Sequence, residues 1–294
     1  MEITEDSYIV QPNAVSRAVY NMPVMARRLI LLAVFNVQTG KPAEMRFSMD
    51  LRELALQFGF KKTKRYTQLK NAIDLASKQV LRFSNEHDAV TELFPWLTYC
   101  RLNLNTNIVT IQINEYLHSY VLDIQQSEGF AVFLLSDFLK LESRYSIRWF
   151  EIVVSRSGHA DSEGHFFVRY PLAEIKILFV VDGKKYKTKD FRIKIIEMPI
   201  KEINNKKIGY HIFPEYVHKN KKLTEVILRC QFTKRENGKD TPAYFLSRHT
   251  KEYFKCVTEA GRLLAVKQFK DQRAYEIARM QKALELLKMR IPHE

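Results

Sequence analysis

Apolar and polar positions follow the same order in two parts of the chain. Residues 51–58 and 172–179 both fit the pattern L-x-E-[LI]-x-[LI]-x-F. In each case a short basic segment, a helix-length stretch and a pair of alternating strands come next. One octet match is weak evidence, but the same succession of elements at one offset is not expected by chance. We therefore interpret the chain as an internal repeat of one structural unit.

The repeated unit ends in a hairpin. Apolar and polar residues alternate in 101–105 and 109–114, and the Asn-rich residues between them supply a turn. This alternation predicts two strands with one face packed against the core and the other exposed to solvent. In the second unit the same pattern runs from about 208 to 216, turns through 218–222 and returns through about 223–232.

Helices precede each hairpin. An apolar helix opens the units at about 22–37 and 143–156, and a longer helix follows each octet at about 66–82 and 188–204. The order of helix, short helix, longer helix and hairpin is that of a winged helix, in which the last helix can enter the DNA major groove.

We therefore predict an α+β fold with two tandem winged-helix domains related by a pseudo-repeat. The expected boundaries are 1–125 for the first domain, 126–240 for the second and 241–294 for a helical C-terminal extension. The extension has no proline between Pro242 and Pro292, and its apolar residues alternate with Lys and Arg. Packing on the second unit is favoured over a partner-binding arm.

The composition indicates that the protein has an anionic partner. A chain of 294 residues with 46% hydrophobic and 27% charged residues is ordinary for a globular protein, but the net charge is +14. Such an excess of cations indicates an anionic partner, with nucleic acid as the leading candidate.

Two features of the sequence bear on the cellular compartment. It has no apolar run of about 18 residues, and its N-terminus lacks the basic-then-apolar order of a signal peptide, so no membrane partner is expected. Cys100, Cys230 and Cys256 lie far apart, which favours a reducing compartment and argues against a zinc ribbon. We predict a cytoplasmic protein.

The positive charge is concentrated in the second unit, at the start of the longer helix and at the tip of the wing. A solvated helix face with a lysine-rich turn is the alternative interpretation, but these are two places that a duplex would touch. The candidate DNA-binding residues are Lys184, Lys185, Lys187, Lys189, Arg192, Lys194, Lys219, Lys221 and Lys222.

Within this set Arg192 is the best candidate for a base contact, because its fork matches guanine O6 and N7, whereas lysines suit phosphates. Pro199 should kink the longer helix near Ile195, since it removes one backbone hydrogen bond. The equivalent basic segment of the first unit supplies the secondary candidates Lys61, Lys62, Lys64 and Arg65.

The first hairpin is far less basic, and Arg101 is its one charged residue. A strand edge of low charge is suited to pairing with another chain. We therefore expect a dimer surface at this hairpin, testable on its polar face at Thr110 and Gln112. The alternative is that the chain's own segment 115–130 covers the edge.

Patterns typical of catalysis are absent from the sequence. Gly158 and Gly164 are spaced one residue too far apart for a P-loop and no Lys follows them. His159 and His165 resemble metal ligands only in composition, and no H-x-H pair of a nickase occurs. We expect no enzyme activity, no metal and no cofactor.

Several motifs resemble those of one family. They are VQPNA at 10–14, RRLILLA at 27–33, YSIRWFE at 145–151, YKTKDFR at 186–192 and MPIKEIN at 198–204. The chain resembles the winged-helix Rep initiators of iteron-containing plasmids over roughly residues 8–235. The part beyond about 240 departs from the pattern.

The resemblance implies that monomers bind directly repeated origin sites in double-stranded DNA through both winged helices. It further implies that they help to open the origin and recruit host replication proteins such as the host initiator and helicase. In this family the first domain mediates homodimerisation, dimers are in equilibrium with monomers, and dimers commonly repress the initiator's own promoter. The resemblance places Lys187, Lys189, Arg192 and Lys194 at the start of the main reading helix.

Three hypotheses follow for the function. The first is a plasmid replication initiator. The second is a winged-helix transcriptional repressor without initiator activity. The third, a nickase or other enzyme acting on nucleic acid, is disfavoured by the absent H-x-H pair.

Overall fold

The computed structural model describes residues 7–39, 45–58, 65–85, 90–121, 129–181 and 186–241, together with short pieces between 255 and 286. Within these ranges the chain is a mixed α/β protein with two tandem winged-helix units, as predicted. Almost all of the predicted extension 241–294 lies outside the described residues.

The first unit starts with a strand and ends shortly after its wing. Its elements are β1 (Tyr8–Pro12), α1 (Asn13–Arg17), α2 (Val24–Thr39), β2 (Arg46–Asp50), α3 (Leu51–Gln57), α4 (Arg65–Ser77), β3 (Val80–Asn85), β4 (Val90–Pro95), β5 (Leu97–Asn103), β6 (Ile108–Ile113) and α5 (His118–Val121). The octet of the sequence repeat forms α3. Asp50 begins this helix by accepting hydrogen bonds from the backbone N–H groups of Arg52 and Glu53.

The second unit repeats this order. Its elements are β7 (Phe130–Leu134), α6 (Leu135–Leu139), α7 (Arg144–Arg156), β8 (His165–Pro171), α8 (Leu172–Leu178), α9 (Thr188–Phe191), a π-helical turn (Arg192–Glu197), α10 (Met198–Asn205), β9 (Tyr210–Lys219) and β10 (Lys222–Phe232). The second octet forms α8, in the position that α3 holds in the first unit.

Each predicted hairpin belongs to a three-stranded antiparallel sheet. The strand order is β2-β6-β5 in the first unit and β8-β10-β9 in the second. The third strand is in each case the one that leads into the octet helix. Its side chains alternate between buried and exposed in β8, so that Phe166, Val168 and Tyr170 pack inward. The repeat therefore extends to a strand that the sequence pattern did not reveal.

The end of the predicted helix 66–82 is wrong. Helix α4 stops at Ser77, and Arg82 lies in β3, where it pairs with Leu93 of β4. The segment contains the strand-favouring residues Val80 and Phe83, and Phe83 stacks on Tyr120 with ring centroids 4.4 Å apart. Pairing and this aromatic contact favour an additional hairpin, β3–β4, over more helix.

The two units share a continuous hydrophobic core. Strand β1 from the start of the chain pairs antiparallel with β7 of the second unit, from Tyr8 opposite Leu134 to Pro12 opposite Phe130. Helix α7 then packs against β7 and against α1. One strand and one helix of the first unit are therefore built into the second.

A buried charge network lies at this junction. Arg27 of α2 is 1% exposed and Glu151 of α7 is fully buried, and the Arg27 Nε donates to Glu151 Oε1 at 2.8 Å. The Tyr20 hydroxyl donates to the other carboxylate oxygen, and Arg148 donates to the carbonyl oxygen of Ala18. Burial raises the pKa of Tyr20 to about 12, so that the hydroxyl remains a donor at neutral pH.

Glu151 is the one carboxylate in contact with both arginines of this network. We expect Glu151→Gln to lower the free energy of unfolding by about 3–5 kcal/mol, because it leaves Arg27 and Arg148 buried without a counter-charge. Urea unfolding followed by circular dichroism measures this loss. The control is Asp74→Asn, which breaks an exposed pair with Lys78 and should be close to wild type. Equal behaviour of the two variants would contradict the role given to Glu151.

Candidate nucleic-acid interface

The predicted reading helix is a continuous helical segment from Thr188 to Asn205, made of α9, the π-helical turn and α10. Its inner face is held by apolar side chains that are at most 2% exposed. These are Phe191, Ile195, Ile196, Ile200 and Ile203. The face is therefore anchored in the core, and the polar residues are left outside.

Pro199 is predicted to kink the helix near Ile195, and at this place the structure has the π-helical turn. Pro199 has no N–H group, so the carbonyl oxygen of Ile195 loses its usual helical donor. The Trp149 indole N–H of α7 donates to this oxygen at 2.7 Å. A side chain of the opening helix thus replaces the hydrogen bond that the proline removes.

The lysines at the start of the reading helix are exposed. Lys187 directly precedes α9 and Lys189 lies in its first turn, while Lys194 lies in the π-helical turn with its Nζ 5.8 Å from the centre of the Tyr186 ring. Lys184 and Lys185 lie outside the described residues.

The wing tip carries the other lysine cluster. Strands β9 and β10 are joined by a two-residue turn, Asn220–Lys221, in which both residues have positive φ angles of 51° and 63°. This geometry matches the twist of a tight hairpin. The turn is shorter than the predicted one, and Lys219, Lys221 and Lys222 are exposed around it.

Arg192 is held by two neighbours. Its Nε lies 3.0 Å from Glu197 Oε1, and its guanidinium carbon lies 5.2 Å from the centre of the Tyr216 ring. The Tyr216 hydroxyl donates to the same Glu197 oxygen at 3.1 Å. Burial and the negative charge of Glu197 raise the pKa of Tyr216, so this hydroxyl is protonated at neutral pH.

Little of the predicted secondary site can be placed. Lys61, Lys62 and Lys64 lie outside the described residues, and Arg65 is described only through its backbone at the start of α4. The next residue, Tyr66, donates its hydroxyl to Asn107 Oδ1 at 2.9 Å and so ties α4 to the turn of its wing.

Sequence reasoning missed three residues that shape this interface. None of them is predicted to contact DNA. Trp149 donates to the reading helix, whereas Glu197 and Tyr216 contact each other and lie beside Arg192. The sequence places Trp149 in the motif at 145–151 without giving it a role. The pairing of Arg192 with Glu197 has no α-helical signal, because residues five apart do not share a face of an α-helix.

Other kinds of site receive no support from the described side chains. Among them, no group of three or more His, Cys, Asp or Glu residues is close enough to hold a metal ion. His159 and His165 line an open cleft of about 700 Å³ beside β8, together with Arg156 and Asp161. None of the described helices has the length and apolarity needed to cross a bilayer.

The fold and the helix-and-wing arrangement define a tandem winged-helix protein. The sequence model described as Initiator Replication protein, WH1, matches residues 8–154, which is half of the chain. The chain therefore belongs to the initiator replication protein family. No curated protein gives a significant match.

One solved structure agrees with the fold at a TM-score above 0.5, and two others match less closely. The Pi initiator protein, solved in complex with iteron DNA, is 15% identical with a TM-score of 0.65, and the match covers 79% of this chain and 99% of that one. Domains 2 and 3 of RctB are 12% identical with a TM-score of 0.44, covering 78% of this chain and 92% of that one. The WH1 domain of the replication protein MSBI1.176, isolated from a multiple sclerosis patient, is 20% identical with a TM-score of 0.30. That match covers 39% of this chain and 91% of that domain.

The two buried tryptophans provide a matched test of the Trp149 hydrogen bond. Trp149→Phe leaves the Ile195 carbonyl without its donor, whereas the indole nitrogen of Trp96 has no acceptor among the described residues. We expect Trp149→Phe to cost about 1–3 kcal/mol more unfolding free energy than Trp96→Phe, since both lose a similar volume. Chemical denaturation measures the difference. Equal losses would show that this hydrogen bond does not stabilise the helix.

Proposed function

We propose that the protein is a plasmid replication initiator that binds directly repeated, iteron-type sites in double-stranded origin DNA. Exposed lysines at both the start of the reading helix and the tip of its wing carry this proposal. The family assignment supports it, and so does the fold shared with the Pi initiator, which was solved with iteron DNA. We infer that the protein acts in the cytoplasm without enzyme activity of its own.

The contacts are assigned by side-chain chemistry. Arg192 reads a guanine edge in the major groove, because its planar fork can donate two parallel hydrogen bonds. Lys184, Lys185, Lys187, Lys189 and Lys194 contact phosphates around the start of the helix, and Lys219, Lys221 and Lys222 do so from the wing. The reading helix also directs its positive N-terminal end toward the duplex.

The domains divide this work in the proposal. Residues 126–240 supply the main reading surface, whereas residues 1–125 mediate dimerisation and add DNA contacts through Lys61, Lys62, Lys64 and Arg65. The monomer binds origin repeats, helps to open the duplex and recruits host replication proteins, including the host initiator and helicase. The homodimer represses the initiator's own promoter.

The dimer surface is at β5 in this proposal. Strand β6 is central in its sheet, where Thr110 Oγ1 and Ser48 Oγ lie 2.8 Å apart and Gln112 accepts from Arg46. Thr110 and Gln112 lie on this central strand and not at an edge of the sheet, so substitutions there do not test edge pairing. Strand β5 is the outer strand next to β6 and its one charged residue is Arg101, which leaves an edge suited to pairing.

A repressor without initiator activity is the alternative. Both functions require DNA binding, so binding alone does not separate them. The experiment supplies the protein in trans and measures replication of a plasmid that carries only the origin repeats. Replication in trans supports the initiator, and repression without replication supports the alternative. Nicking of supercoiled origin DNA would contradict a non-enzymatic protein.

Arg192 and the wing lysines should affect two different properties of DNA binding. We expect Arg192→Ala to cost about 1–3 kcal/mol on the preferred site and to relax the base preference there. The double variant Lys221→Ala with Lys222→Ala should weaken binding to every duplex and lower the salt slope by about one per lost phosphate contact. Salt-dependent titrations of preferred and scrambled duplexes separate the two. If Arg192→Ala still distinguished the preferred from the scrambled duplex as well as the wild type does, the proposed contact between Arg192 and a base would be wrong.

The β5 edge has its own test. Thr98 and Tyr99 are exposed at the start of β5, and replacing both with Lys should shift the equilibrium toward monomer, because paired edges would bring like charges together. Sedimentation at matched concentration and salt measures the shift. The control places Lys at Thr91 and Leu93, exposed residues of β4, and should keep the wild-type equilibrium. If the β4 substitutions shifted the equilibrium toward monomer and the β5 substitutions did not, the dimer surface would be at β3–β4.

A further inference from the structure

Glu197 and Tyr216 surround the one arginine at the start of the reading helix, and we call these two residues the Arg192 clamp. The carboxylate lies beside the Nε of Arg192, at 3.0 Å, and the guanidinium carbon lies 5.2 Å from the centre of the aromatic ring. The Tyr216 hydroxyl donates to the carboxylate at 3.1 Å and closes the arrangement. The clamp thus joins the reading helix to strand β9 of the wing.

The π-helical turn is what makes this arrangement possible. In an α-helix, residues five apart point about 140° away from one another around the axis, so Arg192 and Glu197 would not meet. The i to i+5 hydrogen bonding of a π-helical turn brings residues at this spacing alongside each other. The turn that accompanies Pro199 therefore creates an ion pair that a regular helix cannot contain.

The clamp leaves part of the arginine accessible. Glu197 lies beside Nε, and the Tyr216 ring centre lies 5.2 Å from the guanidinium carbon. The Arg192 side chain remains 42% exposed. A guanine edge needs two parallel N–H donors, and the two Nη groups can supply them while the carboxylate lies beside Nε.

We propose that Glu197 and Tyr216 are positioning residues for sequence recognition, which orient Arg192 toward a guanine before the protein meets DNA. This inference rests on the proposed function of the reading helix. An arginine that is already ordered loses less rotamer freedom on docking than a free one, so pre-orientation improves specific binding. Non-specific binding gains little, because phosphate contacts need no fixed fork.

The test measures the ratio of affinities for the preferred and scrambled duplexes. Glu197→Gln and Tyr216→Phe are conservative in volume, and each is measured in the wild type and in an Arg192→Ala background. The control is Glu215→Gln. It removes the same charge from the residue next to Tyr216, where Glu215 pairs with Arg229 instead. Thermal unfolding midpoints confirm that each variant is folded.

We expect each clamp variant to lower the affinity ratio by about threefold to tenfold, the range of one hydrogen bond. Neither substitution should lower it further once Arg192 is Ala, and Glu215→Gln should leave the ratio unchanged while raising affinity for both duplexes. Tyr216→Phe decides the matter if Glu197→Gln fails to fold.

Three results would overturn the inference, and they are distinguishable. If Arg192→Ala lowers the ratio but neither clamp variant does, the clamp has no positioning role and the base contact stands. If Glu197→Gln raises the ratio, Glu197 competes with DNA for the arginine. If Arg192→Ala itself leaves the ratio unchanged, both the base contact of the proposed function and the clamp are wrong.

Discussion

The ion pair between Arg27 and Glu151 is the interaction on which the arrangement of the two units depends. Both side chains are almost fully buried at the junction of α2 with α7, and Tyr20 and Arg148 also contact the Glu151 carboxylate. A buried pair of this kind is costly to break but contributes little net stability compared with apolar packing, so its value is directional. It joins α2 to α7 where the two units meet.

Helix α7 connects this junction to the reading surface. Arg148 and Glu151 face the first unit, whereas Ser146 and Trp149 face the reading helix and donate to Glu202 and to the Ile195 carbonyl. Residues three apart share a side of a helix, so each pair acts from its own face. A displacement of α7 would therefore reach both the junction between the units and the orientation of the reading helix.

The local elements of this protein were predictable from sequence, while the contacts between distant segments were not. Alternation and turn residues predicted both wings, and the repeat predicted the tandem winged helices. The strands β2 and β8 lie apart from their hairpins in sequence, and β1 pairs with a strand more than a hundred residues away, so no local pattern marks them. The motifs at 27–33 and 145–151 are far apart in the sequence, and only the fold brings Arg27 and Glu151 together. Arg192 was predicted from its chemistry, but its neighbours depend on a π-helical turn that periodicity does not reveal.

The central claim is that this chain recognises repeated origin DNA through its winged helices. Footprinting of the full-length protein on the DNA that flanks its own coding sequence tests this most directly, at a salt concentration where scrambled DNA is not bound. The account predicts several protected segments that share one sequence and one orientation. Protection of a single inverted repeat, or of no defined segment, would contradict it.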